Sequence, residues 1–280
     1  ANKLANDFAR RYEISPEAEA GAIAVLSPQK DWNQNVSLAE RVNDVVYNSL
    51  KNPSALPNWN KELEATSKRI WNSPRNKKLG ESIKGKSYNE LTDPVEKAAW
   101  IRTYDETYND RGYSLISPEG GILDRAKTQK GMNRAAAWGS TNEIGLGHKV
   151  RNFYNNIAYP NSESGHVTID THAVAGAAFL PVGGNAKIVN NDMFGGNTAS
   201  VEGIKGTYPL YFEAYQRAAQ KRGILPRQMQ SIVWEQVRTL FTDGRKTKPN
   251  LDFTENIWKT YSKGNRTYES AVKKIEDKLG

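Results

Sequence analysis

The chain has 280 residues and carries 39 Lys and Arg against 31 Asp and Glu, a net charge of +8 that favours a polyanionic partner, nucleic acid above all. Its length suffices for one sizeable core or two modest lobes sharing a cleft; no apolar run reaches membrane-spanning length and no leader-like pattern opens it, so neither span nor leader is expected. With no cysteine and three histidines, His148, His166 and His172, the composition rules out disulfides and thiolate metal sites, argues against a transition-metal centre and fits a reducing cytosol.

Residues 1–14 are polar and read as a loose or helical lead-in. Ser15-Pro16-Glu17 starts a helix, Ser as the cap and Pro in the first turn. The following AEAGAIAVLS is apolar enough to be buried, so Gln29 emerges at its C-terminal end. Ser37 with Glu40 has the spacing of a capping box, and Leu38, Val42, Val45, Val46 and Leu50 then share a face until Asn52-Pro53 ends the helix. Residues 60–72 form another helix, with Leu63 and Ile70 inward and Lys61, Lys68 and Arg69 outward. SPRNKKLGESIKGK (73–86) reads as a basic loop, either solvated or on a phosphate. Thr92-Asp93-Pro94 opens a helix to about Asn109 that gives Ala98, Ala99, Ile101 and Tyr104 to the core. Residues 110–130 read as a turn-rich excursion and 132–138 as a short helix.

Past residue 170 the run AVAGAAFL is small and apolar, which suits a helix packed close to its neighbours. Residues 181–206 contain six glycines and read as a long loop, either a lid or pocket wall or a plain surface excursion. Residues 207–221 and 226–241 are two further helices. Tyr208, Tyr211, Tyr215 and Trp234 on them either stack on a base or belong to the core; Tyr208 and Tyr211, next to the glycine-rich loop, are assigned to the substrate side. Arg217, Lys221, Arg222 and Arg227 suit a DNA backbone. The basic tail 242–280 is helical in two pieces.

The chemistry is concentrated between Glu143 and Ala173. Gly145-Leu146-Gly147 lets the backbone turn sharply and leaves N–H groups for a phosphate oxygen at a helix start. His148-Lys149 leads into that helix, Pro160 breaks it, and Val167-Thr168-Ile169-Asp170-Thr171-His172 opens the next, with Asp170 as an ordinary N-cap by default. Taken together, an amine stands on the first turn of one helix and a carboxylate caps the following one.

Gly-Leu-Gly-His-Lys followed by Ile-Asp-Thr-His resembles the helix-hairpin-helix (HhH-GPD) DNA glycosylase superfamily, the group of endonuclease III-like, MutY-like and 8-oxoguanine enzymes. Leu26-Ser27-Pro28-Gln29 with Asn35-Val36 resembles the segment of that family whose Gln enters the gap left by an everted base. The resemblance implies a mostly α, two-lobed helical fold with a central helix-hairpin-helix and a long glycine-rich loop. One lobe would be about 30–142, with an insertion within 75–140, and the other 1–29 plus 143–280. It implies a monomer acting on double-stranded DNA in a bacterial or phage-infected cytoplasm. Gln29, Gly145, Gly147, His148 and Arg151 would contact the DNA, and Trp32, His172, Tyr208 and Tyr211 would line the base pocket. No cofactor is required, a monovalent cation has a place at the hairpin, and the lack of cysteine excludes the iron–sulfur cluster of some relatives.

The implied reaction begins with eversion of a nucleotide from the duplex. Lys149 would then be the Schiff-base nucleophile at C1′ and Asp170 the proton relay or charge stabiliser, giving N-glycosylase with AP-lyase activity. Were Lys149 a phosphate clamp instead, Asp170 would activate water in a monofunctional reaction. Two other readings stay open. One is a glycosylase-like phage enzyme that hypermodifies thymine by transferring an amine or amino acid to an activated 5-hydroxymethyluracil in DNA. The other is a non-catalytic hairpin that only binds DNA.

Overall fold

Every regular element among the described residues is a helix. The computed structural model describes residues 1–27, 30–74, 76–109, 148–194 and 207–280. They form two compact units, Ala1–Pro160 and Asn161–Gly280. None of these helices is long and apolar enough to cross a membrane.

In the first unit the helices are α1 (Asn2–Arg11), α2 (Pro16–Leu26), α3 (Trp32–Lys51), α4 (Lys61–Ile70), α5 (Lys77–Ile83), α6 (Pro94–Tyr108) and α7 (His148–Ala158). The expected Ser15-Pro16 start is present: the Ser15 hydroxyl accepts from the Ala18 amide at 3.1 Å. Helix α2 is apolar on every side beyond its first turn, as suits a central helix, and Ala20, Ala22, Ile23, Ala24, Val25 and Leu26 are buried where it packs on α1, α3 and α7. Its one buried acid, Glu19, accepts from the Asn43 amide at 2.6 Å.

Helix α3 starts five residues before the expected capping box. Asp31 takes the cap, accepting from the Gln34 amide at 2.9 Å, so Ser37 lies inside the helix. A good cap upstream of an apolar face leaves a second cap-like pair within the helix without a free amide to serve. Helix α3 is tied to α6 by a buried two-point ion pair: Arg41 Nε donates to Asp105 Oδ1 at 2.7 Å, and Arg41 Nη2 to Asp105 Oδ2. Helix α6 starts at the expected place, with Asp93 accepting from the Val95 amide at 2.7 Å. The stretch 73–86, expected as a loop, contains α5. Its lysines conceal a short buried stripe of Gly80 and Ile83, and Gly80 is needed because a Cβ there would lie 2.6 Å from that of Trp71. The expected excursion 110–130 and helix 132–138 lie outside the described residues.

The second unit contains α8 (Thr171–Ala178), α9 (Lys187–Phe194), α10 (Tyr208–Arg222), α11 (Pro226–Leu240), α12 (Lys248–Ser262) and α13 (Tyr268–Leu279). Its core draws on Val167, Ile169, Val174, Tyr215, Phe241, Ile257 and Ile275. The small residues of α8 allow the close packing expected of them: a Cβ on Gly176 would meet Val233 Cγ1 at 2.3 Å and Val237 Cγ2 at 3.1 Å. Helix α8 ends at Phe179, a left-handed residue (φ 48°), whose ring packs edge-on against Phe241 at 5.5 Å. The expected loop 181–206 holds a helix, α9, anchored by buried Val189; eight residues carry too little periodicity to announce it. Residues 195–206 lie outside the described set.

The units divide the chain at a different place from the expected lobes. Helices α1 and α2 do pack on α7, the helix that begins at His148, but within the unit that also holds residues 30–109.

Candidate functional site

The second unit builds a site around the start of α8. Val167 and Ile169 are fully buried in a stretch without regular secondary structure, so their backbone groups need other partners. Tyr208 on α10 supplies one hydroxyl for both: it donates to the Val167 carbonyl at 2.8 Å and accepts from the Ile169 amide at 3.1 Å. Two turns along α10, the Tyr215 hydroxyl donates to the Ala173 carbonyl at 3.0 Å. Burial, and then the charge of Asp170, push the Tyr215 phenol well above its ordinary range, keeping it a neutral donor.

Asp170 is therefore held from both sides. Its backbone is extended, its Oδ1 accepts from the Ala173 amide at 2.8 Å, and its carbonyl accepts from the Val174 amide at 2.9 Å. Oδ2 accepts no hydrogen bond from the described residues, and the side chain is half-buried. One oxygen thus caps the helix while the other is left for a proton or a developing positive charge. The amide end of α8 favours negative charge at this point.

His172 stands two residues on, its ring edge-to-face with Trp234 at 5.7 Å. Nδ1 is buried and has no hydrogen-bond partner among the described residues. Burial holds the imidazole below its usual pKa against the opposing pull of Asp170; Lys246 and Arg238 add to the depression and Asp243 opposes it. Around the ring, the Arg238 guanidinium lies 4.4 Å from the Trp234 ring centre and Lys246 pairs with Asp243 at 2.7 Å. The result is a carboxylate beside a half-buried imidazole, with Arg238 and the Lys246–Asp243 pair close to the ring.

In the first unit, Lys149 sits on the first turn of α7, half-buried, and makes no ion pair with the described residues. Arg151 is half-buried and already partnered. The helix is fixed by buried Tyr154 and Ile157 and by Asn2, whose amide donates to the Ile157 carbonyl at 2.8 Å. His148 is the first helical residue. Trp32 opens α3 and is 42% exposed. Gln29, Gly145 and Gly147, and with them the place expected for a monovalent cation, lie outside the described residues.

Asp170, His172 and Tyr208 are thus brought together, while Lys149 is carried by the other unit. Tyr208 and Tyr211, expected to line a base pocket, are 4% and 8% exposed, so Tyr208 supports the site through its hydroxyl instead of presenting an open face, and Tyr211 belongs to the same core. Arg238, Asp243 and Lys246 join the site although sequence reasoning does not point to them there. A signal existed for one: Trp234 and Arg238 are four apart on a helix and share a face. Asp243 and Lys246 follow a turn and carry no such signal. Among the described residues no group of three or more His, Asp or Glu is placed to hold a metal ion.

The sequence matches the family described as "Family of unknown function (DUF7178)" over residues 1–79 and 105–240, more than half of the chain. No curated protein and no solved structure matches it.

Proposed function

The chain belongs to the DUF7178 family, and we propose that it is a DNA nucleobase-processing enzyme of the helix-hairpin-helix glycosylase type, which everts a nucleotide and acts on it with Lys149 and Asp170. The observation that carries the reading is the half-engaged carboxylate of Asp170, one oxygen on the Ala173 amide and the other without a donor among the described residues. Helix α7 begins at His148, directly after Gly-Leu-Gly, and helix α8 directly after Asp170, which is the order the resemblance requires. The net charge of +8 supports a polyanionic substrate.

In this reading deprotonated Lys149 Nζ forms a bond to C1′ of the everted nucleotide. The glycosidic bond breaks and the base departs with the electron pair. Opening the sugar ring to the imine needs a proton at O4′ and the loss of one from the amine, and Asp170 is the group that moves it.

The test is a panel of duplexes with modified bases, read by mass spectrometry of the products and by borohydride trapping. Base release with a trapped protein–DNA adduct is expected, and Lys149→Ala should lose the adduct while still binding DNA. Release without trapping would make Lys149 a clamp and the reaction monofunctional. A mass gain on thymine with no base release would assign the same site to base modification, and binding without either product would leave a DNA-binding hairpin.

A further inference from the structure

The corner between α12 and α13 presents aromatic rings to solvent. Trp258 and Tyr261 on α12 and Tyr268 at the start of α13 form a three-ring cluster, with centroids 5.8 Å (Trp258–Tyr261), 5.9 Å (Trp258–Tyr268) and 6.0 Å (Tyr261–Tyr268) apart. Trp258 is the fixed member: its Nε1 donates to the Phe179 carbonyl at 3.2 Å, and its ring lies against that of Phe179. The two tyrosines are the open members, 42% and 54% exposed. The chain turns between them at Gly264, whose φ of 73° suits glycine.

The surroundings are basic. From residue 256 to residue 274 the sequence holds Lys259, Lys263, Arg266, Lys273 and Lys274 against a single acid, Glu269. The four lysines are exposed and make no ion pair with the described residues. Arg266 is held in place by Thr260 Oγ1 and Ser270 Oγ, at 3.3 and 3.2 Å. Two other lysines of this unit are paired, Lys248 with Asp252 and Lys246 with Asp243. A corner with open tyrosine rings and unmatched cations fits a partner that has both flat aromatic groups and negative charge.

We propose that this corner binds unpaired nucleic acid, with a base stacked on Tyr261 and Tyr268 and the adjoining phosphates neutralised by Lys259, Lys263 and the α13 lysines. Stacking on tyrosine is indifferent to sequence because every base has a flat face, and the lysines act on the backbone alone. An acidic protein would meet the lysines but gain nothing from the rings, and an apolar one would leave the lysines uncompensated. The corner also has a defined relation to Asp170: Trp258 is bonded to the residue that ends α8, and Asp170 caps its start. The inference shares the nucleic-acid premise of the proposal above but rests on none of its residues.

The experiment is fluorescence anisotropy of the full chain with a labelled oligothymidylate, over a series of salt concentrations. The Tyr261→Ala/Tyr268→Ala pair is expected to weaken binding about tenfold or more. The Lys259→Glu/Lys263→Glu pair, fully on the surface, is expected to weaken it comparably and to flatten the salt dependence. Replacing both tyrosines with Phe should recover binding, since the ring and not the hydroxyl stacks. Parental affinity in the alanine pair overturns the proposal; should that pair fail to fold, parental affinity in the glutamate pair does so. If tyrosine-dependent oligothymidylate binding is found but no duplex yields product, the Asp170 chemistry falls and this site stands. If product forms normally and oligothymidylate binding is unmoved by these variants, this site falls and the Asp170 chemistry stands.

Discussion

Asp170 has two jobs in the proposed reaction, and two substitutions separate them. As a cap it supplies one acceptor, Oδ1, to the Ala173 amide at 2.8 Å. Asn can make the same bond, while Ala cannot. Removing such a cap costs about 1 kcal/mol, and loss of the negative charge at the helix start costs about 0.3–1 kcal/mol more. Asp170→Asn should therefore lower stability by well under the loss in Asp170→Ala, for which a fall in Tm of about 4–12 °C is expected in a unit of this size. The chemistry follows a different order. A neutral amide cannot take up a proton in the way a carboxylate does, so both variants should lose product formation by about a hundredfold or more, the lower end of what a positioned acid–base group contributes. The assay is product mass spectrometry run beside a thermal melt on the same preparations. If Asp170→Asn forms product at the parental rate while Asp170→Ala melts early, the residue is a cap and nothing else, and the proposed reaction loses its acid.

Three further outcomes follow from the packing. The His172 imidazole is depressed by burial, so the unfolded chain takes up its proton first: the stability owed to the neutral ring is complete above the unfolded value of about 6.5 and lost as pH falls through the folded value. Urea denaturation between neutral and mildly acidic pH should show that loss, His172→Gln should remove it, and an NMR titration midpoint at or above the ordinary histidine value would contradict it. Gly176→Ala should destabilise the second unit by about 1–3 kcal/mol, because the new methyl would lie 2.3 Å from Val233 Cγ1, on a stiff branched side chain; a melt within error of the parent would show that α8 and α11 can separate at no cost. Asp105→Ala should cost about 3–5 kcal/mol, since Arg41, 4% exposed, would keep its charge without its carboxylate. An apolar replacement of both partners should recover much of that loss, and denaturant titration of the two variants checks the pair.

The local parts of this fold were legible because their causes are local. Ser15-Pro16, Asp93-Pro94 and Pro226 each combine a fixed φ with a helix start, and α2, α6 and α11 begin there. The same reasoning misplaced α3, where two acceptable caps, Asp31 and Ser37, stand six residues apart and the earlier one, accepting from the Gln34 amide, opens the helix. Helices α5 and α9 escaped because each has only about two turns, and their buried residues, Gly80 with Ile83 and Val189, are too few to outweigh lysines and asparagines in a periodicity argument. Asp170 was legible as a cap from its position alone. The state of His172 was not, since Trp234, Arg238 and Lys246 reach it from at least 62 positions further along the chain.

Tyr208 and Tyr215 show why an aromatic spacing cannot by itself be assigned to substrate or core. Seven residues apart, both fall on one face of α10 and both are buried, as a pair of phenylalanines would be. What calls for tyrosine is the segment they touch: 167–169 is buried and lies outside any regular element, and α8 begins shortly afterwards. A buried segment outside helix and sheet has amide and carbonyl groups that side chains or water must satisfy. The Tyr208 hydroxyl, as donor and acceptor at once, serves Val167 and Ile169 together, and the Tyr215 hydroxyl serves Ala173. The phenols therefore anchor the backbone on either side of Asp170 through three hydrogen bonds that neither residue's position in the sequence could disclose.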